Sequence, residues 1–221
     1  LSLIDRLGDL DLVVVDESFI DFVDQEDHPS LVHDVVDREN VVVLKSLGKN
    51  FGLHGVRFGY AVTNRAMASV LRKALPKWNI NSLAEQIIFS LGDNMDAYHD
   101  SIRKIADDRT YMMDRLRLLP DVEVLPSQGN FIMMHLPIGC NAAECRDELL
   151  TNRGLFIREC GNKAGIDGRY IRAAVRNRHD VDRLVEGLGA FLDASGSQAC
   201  SLPLKANASN GLRPSLPSTT A

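Results

Sequence analysis

The sequence lacks the features that mark several large classes of protein. No run approaches the roughly eighteen apolar residues of a membrane-spanning helix, and the first residues show no signal-peptide pattern. The four cysteines have no CxxC spacing, which favours reduced thiols in a cytoplasmic protein over a disulfide framework. The histidines show no metal-ligand spacing. With a net charge of −5, the chain gives no reason to expect a membrane, nucleic-acid or metal partner.

The apolar residues predict an α/β fold. An apolar fraction of 45% is enough to fill a core. The runs Leu12–Val15 and Val41–Leu44 are continuous and short, as in strands buried on both faces of a parallel sheet. Between them, Pro29–Val36 predicts a helix that begins after proline. Together these segments predict a βαβ unit in a mostly parallel, doubly wound sheet.

Later segments predict a second, smaller unit. Residues 82–118 have apolar positions at helical spacing and are interrupted near Gly92, which predicts two helices. After Pro120 short strands and helices alternate, including a helix at Ala142–Arg153 and a final helix at Asp180–Leu192. We therefore expect a large-domain portion over residues 1–114, a small α/β domain over 115–193, and a disordered tail over 194–221.

One short segment carries the clearest chemistry. Between Ser46 and Tyr60 lie Lys49, Arg57 and four glycines, with no acidic residue among them. Glycine permits close approach of a flat ligand or a phosphate to the backbone. An amine that condenses with a carbonyl, beside a guanidinium that holds a phosphate, is what a pyridoxal-phosphate site requires. The alternative is a glycine-rich surface turn with a solvated lysine.

This segment resembles the lysine signature of the class I/II aminotransferases, the fold-type I pyridoxal-phosphate enzymes. Nine positions match that signature in order, and Phe58 is a mild departure because an aliphatic residue is usual there. The matching residues are Ser46, Leu47, Gly48, Lys49, Gly52, Leu53, Gly55, Arg57 and Gly59. The resemblance makes Lys49 the catalytic residue, implies pyridoxal 5′-phosphate as cofactor, and gives Ser46 and Arg57 cofactor-binding roles.

The end of the first strand adds two further cofactor-binding candidates. Asp16 matches the family's carboxylate on the pyridine nitrogen, which makes the ring an electron sink. A Walker-B-like magnesium strand and a plain acidic strand end are the alternatives for Asp16, and no phosphate-binding loop motif supports the first. Phe19 stands where many members have tyrosine, as in the branch that resembles threonine-phosphate decarboxylase.

Substrate binding is implied for three residues near the C-terminus. Arg172 matches the family's arginine for the substrate α-carboxylate, because planar guanidinium groups bind such anions in a bidentate way. Arg158 lies in an Ile-Arg-x-Cys-x-Asn turn that resembles the decarboxylase-like branch, where it would help to hold a substrate phosphate. Asn130 resembles the family's residue near the carboxylate, and an ordinary turn residue is the alternative.

Three functions remain open. The first is a histidinol-phosphate type of aminotransferase, a transferase of amino-acid metabolism acting on a small, phosphorylated amino acid or amine. The second is a threonine-phosphate decarboxylase-like lyase of cobalamin biosynthesis. The third is an inactive fragment, since the resemblance implies a homodimer and a preceding segment with the phosphate loop and the ring that stacks on the cofactor. On this view we expect the 221-residue chain alone to bind cofactor weakly and to expose apolar surface.

Overall fold

The computed structural model describes residues 2–27, 29–163 and 165–199. Its seven helices are α1 Ser2–Arg6, α2 Leu47–Asn50, α3 Arg65–Ala74, α4 Ser82–Leu91, α5 Met95–Leu116, α6 Ala142–Arg153 and α7 Arg178–Ala199. Its seven strands are β1 Val13–Asp16, β2 Val41–Ser46, β3 Gly59–Thr63, β4 Glu123–Val124, β5 Phe131–His135, β6 Arg158–Glu159 and β7 Tyr170–Ala174. None of the helices in these ranges has the length and apolar character needed to span a membrane.

The first sheet has the order β1-β2-β3. The β1–β2 pair is parallel, as predicted, whereas β3 runs antiparallel to β2, so the sheet is mixed rather than mostly parallel over the described residues. One face of the sheet buries Val13, Val41 and Val43 against Ile4 and Val35. The valine-rich runs therefore form strands because their branched side chains pack on this pleated surface.

The predicted helix at Pro29–Val36 is wrong. Only a single 3₁₀ turn, Val35–Asp37, forms in this connection. The buried carboxylate of Glu17 explains the difference, since it accepts hydrogen bonds from the Ser30 hydroxyl and the Leu31 N–H, both at 2.6 Å. When a side chain elsewhere in the protein accepts a hydrogen bond from a backbone N–H, the chain has an alternative to the hydrogen bonds of a helix.

The opposite face of this sheet is partly open. Val42 is buried there, but its neighbours Val14 and Leu44 are 54% and 40% exposed, although parallel sheets are normally covered on both faces. Trp78, in the connection from α3 to α4, is 92% exposed. The expected exposed apolar surface is therefore present in the described part of the chain.

Two helices follow, as predicted, with a break at the predicted position. The 3₁₀ turn Gly92–Asn94 separates α4 from the long α5. The side chain of Asn81 accepts from the Ala84 N–H at 2.8 Å and so caps the first turn of α4. Helix α5 contacts the 3₁₀ turn Ile20–Phe22, which follows β1, and also contacts β5 and α7 of the second part of the chain.

The second sheet is antiparallel, with the order β4-β5-β7-β6. Its buried face packs on α6 and α7 through Ile132, Met134, Ile171, Leu149 and Leu188. Helix α6 has the predicted bounds, because the Asn141 side chain caps its start and Gly154, at φ 64°, ends it.

The final helix, α7, continues to Ala199, beyond the predicted end at Leu192. The predicted tail at 194–221 therefore begins within a helix, and residues 200–221 lie outside the described residues. The division of the chain into domains stays a prediction.

Candidate active site

The lysine lies on a tight connection between β2 and β3. Ser46 ends β2 and pairs with Gly59 of β3, and Lys49 occupies the short helix α2 immediately after Ser46. A Cβ added at Gly59 would lie 2.7 Å from the Lys45 carbonyl oxygen, so no larger residue fits this approach of the two strands. Arg57 has a left-handed backbone (φ 56°), which costs a non-glycine residue free energy and is typical of functional sites.

Lys49 is grouped with two of the other predicted cofactor residues. Its Nζ lies 4.6 Å from the centroid of the Phe19 ring. Hydrogen bonds from the hydroxyl and the backbone N–H of Ser18 lower the pKa of Asp16, and the positive charge of Lys49 acts in the same direction. Asp16 therefore stays ionised at neutral pH beside the lysine.

A polar network centred on Asp21 stabilises helix α2, which carries Lys49. Asp21 forms an ion pair with Lys45 at 3.0 Å, accepts a hydrogen bond from the Asn50 amide, and accepts another from the Tyr98 hydroxyl at 3.1 Å. Burial raises the pKa of Tyr98, and the Asp21 carboxylate raises it further, so the hydroxyl stays a donor. Because Asn50 directly follows Lys49, this network fixes the backbone that carries the lysine.

Two aromatic rings connect the lysine to the second sheet. Phe19 meets Phe131 of β5 edge to face, with centroids 5.5 Å apart. On the far side, the guanidinium carbon of Arg172 lies 4.5 Å from the Phe131 centroid. Lys49, Phe19, Phe131 and Arg172 thus form a continuous row of contacts, which we call the lysine–arginine row.

The two predicted substrate arginines are cross-strand neighbours. Arg158 of β6 pairs in register with Arg172 of β7, so the two side chains share one face of the sheet. Ile171 and Ala173 are buried on the other face, which directs Arg172 away from the core. Within residues 2–27, 29–163 and 165–199, neither guanidinium has a carboxylate at ion-pair distance. Two unpaired positive charges on one face form a ready site for anions.

Two other predicted residues are less closely tied to the lysine–arginine row. The exposed Arg57 guanidinium donates to the His54 carbonyl oxygen at 3.4 Å and has no ion pair with Asp16. Asn130 directly precedes Phe131, and its carbonyl oxygen accepts from the Val175 N–H at 2.9 Å. The structure thus brings Asp16, Phe19, Lys49, Arg158 and Arg172 into one region, with Ser46 and Asn130 at the adjoining strand ends.

Sequence reasoning missed three residues that shape this region. Phe131 links the two halves of the row, Asp21 anchors the lysine helix, and the buried Arg109 joins segments far apart in the sequence. Asp21 closely follows the Asp16–Phe19 motif and could have been singled out for that reason. Arg109 has no local signal, because one arginine among the charged residues of a long helix looks like any solvated charge.

These features define an α/β protein with a lysine on a short helix after a strand and two arginines on one face of a second sheet, and comparison with known proteins identifies its family. The profile described as "Aminotransferase class I and II" matches residues 11–188. The chain belongs to this family. Similarity to the family's solved structures confirms the predicted fold-type I architecture and the resemblance to its histidinol-phosphate aminotransferase and phosphate-decarboxylase branches.

Three similar proteins show how far the likeness extends. The chain is 34% identical over 196 residues to "CMP-5′-(3-aminopropyl)phosphonate synthase" of Streptomyces rubellomurinus, covering 86% of this chain and 30% of that protein. It is 32% identical over 176 residues to "Histidinol-phosphate aminotransferase 2" of Archaeoglobus fulgidus, covering 80% of this chain and 48% of that protein.

The third is the crystal structure of L-threonine-O-3-phosphate decarboxylase from Porphyromonas gingivalis, which superposes with a TM-score of 0.77 at 27% identity. The match covers 87% of this chain and 58% of that one. The chain therefore spans about half the length, or less, of these similar proteins.

The residues present fit the family's cofactor, pyridoxal 5′-phosphate. An ionised carboxylate at Asp16 suits a protonated ring nitrogen. Lys49 supplies an amine near that carboxylate. Gly59, the strand partner of Ser46, has no side chain, so the backbone beside Ser46 is open to close approach by a phosphate.

Proposed function

We propose that this chain forms the lysine-bearing and arginine-bearing parts of a pyridoxal-phosphate enzyme. Its substrate is a small amino acid or amine that carries a phosphate, as for a histidinol-phosphate type of aminotransferase. The lysine–arginine row is the observation that carries the proposal. Its contacts run unbroken from the Lys49 amine to the Arg172 guanidinium. The row places an amine and a guanidinium in one connected region, which supports a substrate that carries both an amine and an anionic group.

When bound, pyridoxal phosphate supplies a carbonyl for amine condensation and a protonated ring that accepts an electron pair from the substrate. Asp16 holds the proton at the ring nitrogen, which its low pKa allows at neutral pH. Lys49 would hold the cofactor through its side-chain amine and, once released from it, would move protons as general base and acid. Ser46 and Arg57 bind the cofactor phosphate, and Phe19 packs beside the lysine.

The arginine pair selects the substrate. Arg172 binds a carboxylate and Arg158 a phosphate, with Asn130 at the adjoining strand end as an amide donor. Like charges at directly opposed cross-strand positions repel each other. An anion between them removes that repulsion, so a doubly anionic substrate is favoured over a neutral one. The names of the similar proteins include a phosphate or a phosphonate in each case, which supports this substrate class.

A decarboxylase that acts on a phosphorylated amino acid is the second candidate. Two observations favour it. Phe19 lacks the hydroxyl that many family members place on the cofactor ring, and the opposed arginines suit a substrate with both a carboxylate and a phosphate. Such an enzyme resembles threonine-phosphate decarboxylase and would act in cobalamin biosynthesis. For either activity we propose a cytoplasmic homodimer, as is typical of the family.

Product analysis tests the proposal. The protein is supplied with pyridoxal phosphate and with O-phosphothreonine or histidinol phosphate, with and without 2-oxoglutarate. An aminotransferase consumes 2-oxoglutarate and forms glutamate, whereas a decarboxylase releases carbon dioxide without it. Lys49→Ala is the matched negative control. The proposal would be refuted if neither substrate were consumed and if borohydride gave no stable cofactor adduct on Lys49. An inactive fragment would then be the explanation.

A further inference from the structure

We propose that Arg109 is a positioning residue that sets the spacing between the lysine end and the arginine end of the lysine–arginine row. The inference rests on the proposed function, because the spacing matters only if one ligand touches both ends. Arg109 lies on α5 and is 3% exposed, where this helix meets the segment after β1 and the turn before β5. It makes no contact with Lys49 or Arg172 and acts through the backbone that holds their neighbours.

One guanidinium joins two distant segments of the chain. Arg109 Nη1 donates to the carbonyl oxygens of Phe22 at 3.1 Å, Gln128 at 2.8 Å and Gly129 at 3.2 Å. Its Nη2 forms an ion pair with Asp24 at 2.6 Å. Phe22 and Asp24 belong to the segment after β1, and Gln128 and Gly129 form the turn before β5.

Each of these segments carries one aromatic ring of the row. The Phe22 N–H donates to the Phe19 carbonyl oxygen at 3.2 Å, so the first segment fixes Phe19. Gly129 lies just before Phe131, and the Ser127 hydroxyl donates to the Phe131 carbonyl oxygen at 2.6 Å, so the turn fixes Phe131. The two rings meet at the junction that Arg109 ties together.

Arginine suits this task in a way that lysine does not. A guanidinium presents five N–H donors in a rigid planar fork, whereas an ammonium is a point charge with three donors on a flexible stem. Here Nη1 contacts the three carbonyl oxygens and Nη2 the carboxylate, so the rigid guanidinium holds the two sets of acceptors at a fixed separation, which a single ammonium group does not do. A buried charge with several directional contacts fixes relative position more strictly than apolar packing of similar volume.

The test compares Arg109→Lys with Arg115→Lys. Arg115 is on the same helix and also pairs with a carboxylate, but its side chain is 40% exposed and its partner, Asp182, belongs to α7 and not to either segment that carries a ring of the row. Dissociation constants are measured for three probes. Pyridoxal phosphate reports the lysine end. Inorganic phosphate, titrated into protein whose cofactor site is already filled with pyridoxal phosphate, reports the arginine end. The reduced conjugate N-phosphopyridoxyl-O-phosphoserine spans both ends.

Arg109→Lys should weaken the conjugate about 10- to 100-fold and leave each single-ended probe within about twofold, because misplacement affects only ligands that need both ends. Arg115→Lys should leave all three unchanged. Equal weakening of all three probes, or unchanged binding of the conjugate, would overturn the inference and make Arg109 a general stabiliser or a spectator.

Hydrogen exchange gives a second readout that needs no ligand. Arg109→Lys should speed amide exchange in residues 19–25 and 127–131 together, and Arg115→Lys in neither. Asp24→Asn removes the ion pair but keeps the contacts of Arg109 with the carbonyl oxygens, so it should speed exchange in the same two segments by less. This variant replaces Arg109→Lys in the test if Arg109→Lys does not fold. Exchange that rises in one segment only would overturn the inference. If the wild-type protein binds none of the three probes, the proposed function fails, and hydrogen exchange alone decides whether Arg109 couples the two segments.

Discussion

Replacing Arg172 with methionine should weaken substrate binding while leaving the fold intact. The folded protein loses the contact of the guanidinium with Phe131, at 4.5 Å, which is worth about 0.5–1 kcal/mol at a partly exposed site. It is also relieved of the repulsion from Arg158, directly opposite, which costs about 0.2–1 kcal/mol. These two effects have opposite signs, so the free energy of unfolding should change by less than about 1 kcal/mol.

The effect on binding should be much larger. A hydrogen-bonded charge pair between Arg172 and a substrate carboxylate contributes about 1.5–3 kcal/mol. Since each 1.4 kcal/mol is roughly a factor of ten, the dissociation constant should rise about 10- to 150-fold. Capture of the cofactor by Lys49 should not change, because Arg172 contacts the substrate and not the lysine loop.

Calorimetric titration with O-phosphoserine measures this binding effect, and thermal unfolding measures stability. Arg176→Met is the matched control, because Arg176 is a nearby arginine that is 66% exposed and already paired with Asp180. Two results would refute the reasoning: unchanged O-phosphoserine affinity in Arg172→Met, or an equal loss of cofactor capture. The first would remove Arg172 from the substrate site, and the second would mean that the variant disturbs the whole region.

Three further predictions concern the cofactor residues. In the full-length enzyme, borohydride reduction should lock pyridoxal phosphate onto Lys49, and Lys49→Ala should lose the mapped adduct and all turnover; an adduct on Lys45 or Lys77 would contradict the assignment. Arg57→Ala should weaken cofactor retention without raising KM for substrate, because only a phosphate contact is lost, and equilibrium dialysis measures that retention. Asp16 should stabilise the folded chain at neutral pH and lose this effect as the pH falls below about 4, since its folded-state pKa lies below the ordinary 3.8. Asp16→Asn should lack that part of the acid dependence of unfolding, and an identical pH profile in both proteins would contradict the assigned pKa shift.

The sequence predicted correctly those elements whose start and end are set by neighbouring residues. Helix α6 has its predicted bounds because Asn141 caps its N-terminus and Gly154 ends it at the C-terminus. The lysine signature needed no tertiary information, since glycines and Arg57 at fixed spacing act on the same short loop. The helix expected at Pro29–Val36 failed because Glu17, distant in sequence, captures its backbone.

The sequence by itself determined which reactive groups the chain carries: a lysine among glycines, a carboxylate at a strand end, and arginines on late strands. Tertiary structure alone decided that these groups meet. The row depends on Phe19 reaching Phe131, and Arg109 holds their segments by contacts to backbone oxygens. Every residue has such an oxygen, so no sequence pattern reveals which ones an arginine will find. Only the packing of α5 against the turn Ile20–Phe22 and against β5 selects them.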